Sequence, residues 1–365
     1  MNQNVDQRIA TVTSEDLTAV FRSSGRLSPE ERLGQLEITP VGTGQMADTV
    51  RCILTDPVPS RIPASCVVKL PVGEGQTALT ARTAGVYDRE LRFYQELLPE
   101  LSGLQCPEFF GSFLVDGEPA LVLEDIRDAV PSNQILGAVG HQPRLAVDQL
   151  VNIQARWWND EAFGAQDWLQ RRAGAPIPDR RRRYLAAWDK VKDTVAAELE
   201  PGAAEVIEEF GHACDAWSQS YDGPFTLAHH DYRLDNMLFA DDRVWLLDWQ
   251  TLGWGPPSWD LAYFIGSSLS VEQRRSSESE LVVRHARQLR DAGIEGWTDE
   301  VAWNSYRAMA YSTLLLTMPA AGELRSNERA KRMFTAMWNR TAAMARDLES
   351  HEFLTAAKPQ ESPAC

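Results

Sequence analysis

The sequence predicts an α+β protein of two lobes, a small β-rich N-lobe and a larger, mostly helical C-lobe. Three observations carry this expectation. Residues 36–126 hold short β-branched and apolar runs bounded by turns. Beyond residue 126 the apolar residues recur at helical spacing almost to the C-terminus. Within that helical region, Leu227 to Ile265 breaks the pattern with two short apolar runs, each ending on a polar cluster. The expected division is an N-terminal helical extension at 1–35, the N-lobe at 36–126, the C-lobe at 127–355 and a disordered tail at 356–365.

The totals agree with an ordinary globular protein. A chain of 365 residues is long enough for two substantial cores, and 44% hydrophobic with 24% charged residues is typical of folded domains. The net charge of −16 argues against a nucleic-acid-binding surface and does not favour an anionic membrane. Five scattered cysteines (Cys52, Cys66, Cys106, Cys214 and Cys365) show no CxxC spacing and read as reduced thiols. The N-terminus has no basic stretch followed by an apolar core, and the apolar run near Met309 to Ala321 is too short to span a bilayer. A soluble cytoplasmic location is expected.

Taken in order, Ser14 opens a short helix with acids in its first turn. Thr49–Thr55 and Ser65–Leu70 read as strands joined by the proline-rich stretch Asp56–Pro63. Gly42-Thr-Gly44-Gln-Met-Ala47 formally fits a dinucleotide fingerprint, but a strand follows where that motif needs a helix. A glycine turn between antiparallel strands is instead the arrangement that folds over ATP phosphates in kinases, with an ordinary glycine hairpin as the plain reading. Gly73-Glu-Gly75 follows a strand and leads into a helix, and no P-loop motif occurs. Lys69 lies near the end of an apolar strand, and Glu90 lies on a helical segment expected over Thr80–Leu98. A strand lysine paired to a helix glutamate is the device that presents lysine to nucleotide phosphates. Pro119–Ile126 is a further strand ending in two acids. Helices are expected at Leu145–Trp158, Pro178–Leu199, Glu205–Ser220, Val271–Ala292, Asp299–Met318 and Glu328–Glu349. The run Arg180–Arg183 reads as a solvated helix start.

The chemistry concentrates in Leu227–Ile265. Phe225–Ala228 and Val244–Leu247 read as buried strands, with a turn at Ala240-Asp241-Asp242 folding the second back on the first. They end on His229-His230-Asp231, followed by Asn236, and on Asp248-Trp249-Gln250. His229-x-Asp231-x-x-x-x-Asn236 matches the kinase catalytic-loop pattern at every fixed position. Such a set serves Mg²⁺-dependent phosphoryl transfer: Asp231 positions the attacking hydroxyl, while Asn236 and Asp248 hold metal on the phosphates of ATP.

With these residues in one N-to-C order, the chain resembles the aminoglycoside phosphotransferase and choline kinase superfamily. Asp248-Trp-Gln250 followed by Asp260-Leu-Ala-Tyr-Phe264 looks most like its ecdysteroid-kinase-like branch. The resemblance runs from about Leu36 to Met344 and implies a two-lobed protein-kinase-like fold with ATP as donor. It also implies an adenine hinge at Leu123-Glu124, Lys69 on the phosphates with Glu90 as partner, and a glycine loop at Gly42 and Gly44. Asp231 would be the catalytic base or hydroxyl positioner, and Asn236 and Asp248 the Mg²⁺ ligands. His229 and Asp260 would brace the loop. His230 departs from the glycine usual in this superfamily. Arg233 stands where protein kinases carry a lysine facing the transferring phosphate, and an exposed salt bridge to Asp235 is the alternative.

Two rival readings accompany this one. A kinase fold kept for binding alone is the first. The second is an HD-type metal phosphohydrolase built on His230-Asp231 with His212 and Asp248 or Asp260. For the acceptor, the aromatics after Asp248 and the apolar side chains of the late helix (Trp303, Tyr306, Met309, Tyr311, Leu314, Leu315, Met318) suggest an apolar pocket, so a hydrophobic alcohol is expected rather than a polycationic aminoglycoside.

Overall fold

The computed structural model describes residues 11–42, 46–55, 59, 61–73, 75–323 and 327–354. The chain forms two compact units: one takes residues up to 100, 105–129 and 245–250, and the other takes 101–104, 130–244 and residues from 251 on. Gly44 and the expected tail lie outside the described residues.

The first unit begins with helix α1 (Ser14–Ser23). Thr13 caps it, its side chain accepting from the Asp16 amide while the Asp16 carboxylate returns to the Thr13 amide. Strands β1 (Leu36–Pro40), β2 (Ala47–Leu54) and β3 (Ser65–Pro71) follow. Helices α2 (Gln76–Thr83) and α3 (Val86–Arg92) lead on to β4 (Phe109–Val115) and β5 (Glu118–Glu124). The strands make one sheet in the order β1-β2-β3-β5-β4, antiparallel at every junction. Alternation along β3 sends Cys66, Val68 and Leu70 into a core shared with Leu17, Val20 and Phe21 of α1. Val67 and Lys69 therefore occupy the other face. Gly111, in β4, has φ +143°, and a Cβ there would sit 2.9 Å from Val20 Cγ1, so α1 packs closely only because this position lacks a side chain.

The segment expected as one helix over Thr80–Leu98 is broken. Ala84 ends α2, and Gly85, at φ +62°, starts α3 in the left-handed region. After α3 the backbone widens into a π-helical turn at Phe93–Leu97. The turn carries Phe93, which stacks on Trp249 at 3.8 Å between ring centroids.

The second unit is built around the helix Pro257–Ser268, every residue of which is buried. Flanking it are helices Gln142–Gln154, Arg180–Val195, Ala203–Gln219, Val271–Asp291, Asp299–Ala308, Ser312–Glu323 and Glu328–Asp347. The helix expected over Asp299–Met318 is thus two helices joined by a 3-10 turn at Met309–Tyr311. Strand pairing also departs from expectation. Thr226–Ala228 pairs antiparallel with Gly253–Gly255, which pairs parallel with Gln170–Arg171. The turn closed by the Ala240 amide on Arg243 O follows an additional strand, Met237–Phe239, which pairs with Val130–Pro131. Periodicity cannot show such short pairings, because three residues satisfy either period.

Among the described residues, no helix is long and apolar enough to cross a membrane.

His285 illustrates how tightly the second unit is closed. Its Nε2 lies 2.7 Å from Gln154 Oε1, and burial pushes its pKa down to about 3. An imidazole neutral in the fold takes up a proton on unfolding, since its unfolded pKa is about 6.5. Its contribution to stability is therefore complete above that value and lost as pH falls toward the folded pKa. In urea unfolding compared at about pH 7 and about pH 5, His285→Gln should flatten the dependence by up to about 1.4 kcal/mol per pH unit. Equal slopes in parent and variant would show that His285 is protonated in the fold.

Candidate active site

In the first unit the candidate site gathers around Lys69, whose side chain is 13% exposed. Lys69 Nζ lies 2.8 Å from Glu90 Oε1, 2.7 Å from Glu90 Oε2 and 2.9 Å from Asp248 Oδ1. Burial opposes the ammonium charge, but Asp248 and Glu90 outweigh it and raise the lysine pKa. Burial also raises the Glu90 carboxyl, with Lys69 only partly offsetting it. Both groups shift upward, the glutamate because burial outweighs Lys69 and the lysine because its two carboxylates outweigh burial, so the ammonium stays charged.

The 245–250 segment is fastened to α3 at several points. The Trp249 amide donates to Glu90 Oε1 at 3.2 Å, and Arg89 Nη1 donates to Gln250 O at 2.8 Å. Asp248 sits at φ +65°, a left-handed conformation unusual for a non-glycine residue. Its side chain is 35% exposed, the most accessible of the three charged groups. Gly42 has φ +78°, with nothing within 4 Å of a Cβ placed there. Leu123 and Glu124 lie on β5 opposite Val67 and Cys66, and the Glu124 amide donates to Glu108 O.

In the second unit, the strand Thr226–Ala228 delivers His229, His230 and Asp231. Asp260, in the first turn of Pro257–Ser268, accepts the His229 amide on Oδ2 at 2.7 Å and the His230 amide on Oδ1 at 2.8 Å. Burial lifts its carboxyl to about 7, against the opposing pull of those two amides. His229 is buried, and its Nδ1 accepts the Asp231 amide at 3.3 Å.

His230 adopts φ +66°, the conformation that makes glycine usual at such a turn. Its ring packs edge-on to Trp259 and places Nδ1 3.2 Å from Thr251 O. Gly255 supplies the room, since a Cβ there would come within 2.5 Å of His230 Nε2. The histidine is thus absorbed by backbone anchoring and by a glycine on the neighbouring strand.

The Asp231 carboxylate is densely held. Arg233 Nε donates to Oδ1 at 2.9 Å and Oδ2 at 3.1 Å, Asn236 Nδ2 donates to Oδ2 at 2.9 Å, and the Tyr263 hydroxyl donates to Oδ1 at 2.7 Å. Burial alone would raise its pKa, but Arg233 and these hydrogen bonds hold it below the usual value. Arg233 therefore belongs first to Asp231. Its Nη1 reaches Asp235 at the longer distance of 3.4 Å, and Asp235 also takes Arg329 at 2.9 Å. The sequence places Tyr263 only among the aromatics expected to wall an acceptor pocket; its bond to Asp231 is not foreseen there, and the signal for it is its position one turn after Asp260.

Each unit, taken by itself, holds one oxygen of the kind a hard divalent cation takes. Asn236 donates through Nδ2 to both the backbone and the carboxylate of Asp231, which leaves Oδ1 as its acceptor atom. Asp248 commits Oδ1 to Lys69 and keeps Oδ2. The phosphohydrolase set is not assembled: His212 is exposed on its helix, and both Asp260 oxygens are taken by amides.

The fold is that of the kinases. A choline kinase from Cryptosporidium parvum superposes with a TM-score of 0.55 at 10% identity, covering 92% of this chain and 96% of that one. A choline/ethanolamine kinase family protein from Mesorhizobium loti gives 0.48 at 17% identity, with 92% and 98% covered. An ADP-bound aminoglycoside phosphotransferase gives 0.44 at 14% identity, with 90% and 98% covered. The chain belongs to the phosphotransferase enzyme family, whose model matches residues 37–308. No curated protein matches it.

Asp260 offers a test of the loop's anchoring. An amide at this position presents one acceptor where two backbone donors converge. Asp260→Asn should lower stability by about 1–3 kcal/mol, the cost of a buried donor left unpaired. Urea unfolding near neutral pH measures it, and an unchanged midpoint would show that the two amides are otherwise satisfied.

Proposed function

We propose that this protein is an ATP- and Mg²⁺-dependent small-molecule kinase that transfers the γ-phosphoryl group to an alcohol hydroxyl. The observation that supports this best is the Asp231 carboxylate, held ionised and bonded to Asn236 within one catalytic-loop pattern. Family membership supports the same reaction class. Within the family, Asp248-Trp-Gln250 and Asp260-Leu-Ala-Tyr-Phe264 support kinship with the ecdysteroid-kinase-like branch.

In this reading the acceptor hydroxyl donates to Asp231, which orients its oxygen for in-line attack and takes its proton as the new P–O bond forms; the bond from the γ-phosphorus to the bridging oxygen breaks, and ADP leaves with that electron pair. His229 holds the Asp231 amide. Lys69, positioned by Glu90, binds the nucleotide phosphates, and the glycine stretch that starts at Gly42 is assigned to cover them. Leu123 and Glu124, on the doubly paired strand β5, lead into the adenine hinge. Asn236 and Asp248 would hold Mg²⁺, which when bound neutralises charge on the β- and γ-phosphate oxygens. Arg233 keeps Asp231 ionised and oriented rather than standing apart from it.

Most of the side chains expected to wall an acceptor pocket are core packing. Trp249, Trp254, Trp259 and Phe264 are buried, as are Tyr306, Met309, Tyr311, Leu314, Leu315 and Met318; Trp303 is half-buried, and the buried Tyr263 spends its hydroxyl on Asp231. What still favours an apolar or uncharged alcohol is the state of the acids. Asp235 is neutralised by two arginines, and Asp260 is spent on backbone amides. Neither is left for a polycation.

The decisive experiment is ADP release from Mg-ATP with water, choline, an aminoglycoside and a sterol alcohol as probes, with phosphorylated product confirmed by mass. We expect the sterol alcohol to exceed the aminoglycoside in kcat/KM. Product from the aminoglycoside alone would overturn the acceptor assignment. Asp231→Asn should lower kcat by about 10²-fold or more with nearly unchanged ATP affinity. Near-normal turnover would remove Asp231 from the mechanism, and a kinase fold kept for binding would show ATP binding with no product.

Asp248→Ala should remove the Mg²⁺ enhancement of ATP binding, because it deletes the charged oxygen of the proposed metal pair. Calorimetry with and without Mg²⁺ reads this directly. Equal enhancement in parent and variant would place the ion elsewhere.

A further inference from the structure

We propose that Tyr263 is a positioning residue for Asp231, fixing the orientation in which the carboxylate meets the substrate hydroxyl. This rests on the phosphotransfer reading of Asp231 given above. Tyr263 lies three residues after Asp260 on the buried helix Pro257–Ser268, so the two side chains share a helix face. Asp260 holds the backbone of the loop through the His229 and His230 amides, and Tyr263 holds its functional side chain. One rigid helix thus sets both the path of the loop and the orientation of its carboxylate.

The hydrogen-bond arithmetic at Asp231 gives the inference its content. A carboxylate offers about four acceptor directions. Tyr263 takes one on Oδ1, Asn236 takes one on Oδ2, and the single Arg233 Nε–H is shared between the two oxygens. Tyr263 and Asn236 are therefore anchors at opposite ends of the carboxylate. The divided Arg233 bond is the weakest of the three and the one an incoming hydroxyl displaces at least cost. Tyr263 is suited to its place because its ring is fully buried, and a buried hydroxyl bonded to a charged acceptor is strongly directional. Without it, Oδ1 keeps only its share of the divided Arg233 bond, and the carboxylate is less firmly held at that end.

The test is a double-mutant cycle on the full chain, with Mg-ATP and both water and the best of the three probe acceptors. Tyr263→Phe keeps the ring and removes the hydroxyl alone. Its kcat should fall about tenfold with KM for ATP unchanged, because orientation is lost while nucleotide binding is not. In the Asp231→Asn background the same change should have no further effect on kcat, since Tyr263 acts only through that carboxylate. Thermal unfolding is measured alongside, and rates are expressed per folded protein. A merely structural tyrosine would lower the unfolding temperature and leave kcat per folded protein unchanged, which overturns the proposal. Full multiplication of the two effects also overturns it. If Asp231→Asn itself keeps normal turnover, the reading of Asp231 falls, and that result is distinct from a Tyr263→Phe variant that is fully active beside an inactive Asp231→Asn.

Discussion

A single ammonium group between two carboxylates governs the first unit. Burying Lys69 is costly unless its charge is met, and Glu90 and Asp248 meet it from two different parts of the chain. The pairing dictates where α3 lies against β3 and where the 245–250 segment runs. The break at Gly85, the π-helical turn and the Phe93–Trp249 stack can all be read as the local adjustments that allow it. A buried ion cluster of this kind is poor evidence for added stability, since hydrophobic replacements of similar volume often do as well. What it does is tie strand, helix and segment together, since removing one partner would leave a charge uncompensated.

The second unit solves a related problem with backbone amides. A functional carboxylate at the end of a short strand needs a fixed turn, and a fixed turn leaves amide groups pointing inward. Asp260 collects two of them, which holds His230 in a conformation that costs a non-glycine residue about 1–2 kcal/mol. Gly255 gives back the space that the imidazole takes. His230 and Gly255 therefore act as a steric pair, the ring filling the space that the missing side chain leaves. Left-handed residues at both His230 and Asp248 put local strain beside the two carboxylates to which we assign chemistry.

The aromatic residues that crowd this part of the sequence serve the scaffold. Trp254 packs on Phe163, Trp217 on Phe210, and Tyr311 stacks on Phe210, so the rings close the second unit around its central helix. Tyr263 differs from the rest because its hydroxyl ends on Asp231, which turns a core position into part of the site. Composition alone does not separate these two fates. A ring at helical spacing is buried in either case, and only the partner of its polar atom distinguishes them.

The sequence by itself determined which chemical groups are present and in what order. The catalytic-loop spacing from His229 to Asn236, a lysine on an apolar strand and a glutamate on the helix after it were legible, because each depends on local pattern. The strand-rich first part and helical second part were legible for the same reason. Tertiary structure alone decided which groups meet. It joined Asp248 to Lys69, gave Arg233 to Asp231 ahead of Asp235, paired Thr226–Ala228 with Gly253–Gly255, and brought Tyr263 onto the catalytic-loop carboxylate. Those contacts link residues far apart in sequence or depend on the turn between neighbours, and hydrophobic periodicity carries no information about either. The apolar wall expected of the late helix failed for that reason, since its spacing marks a buried face without saying what buries it.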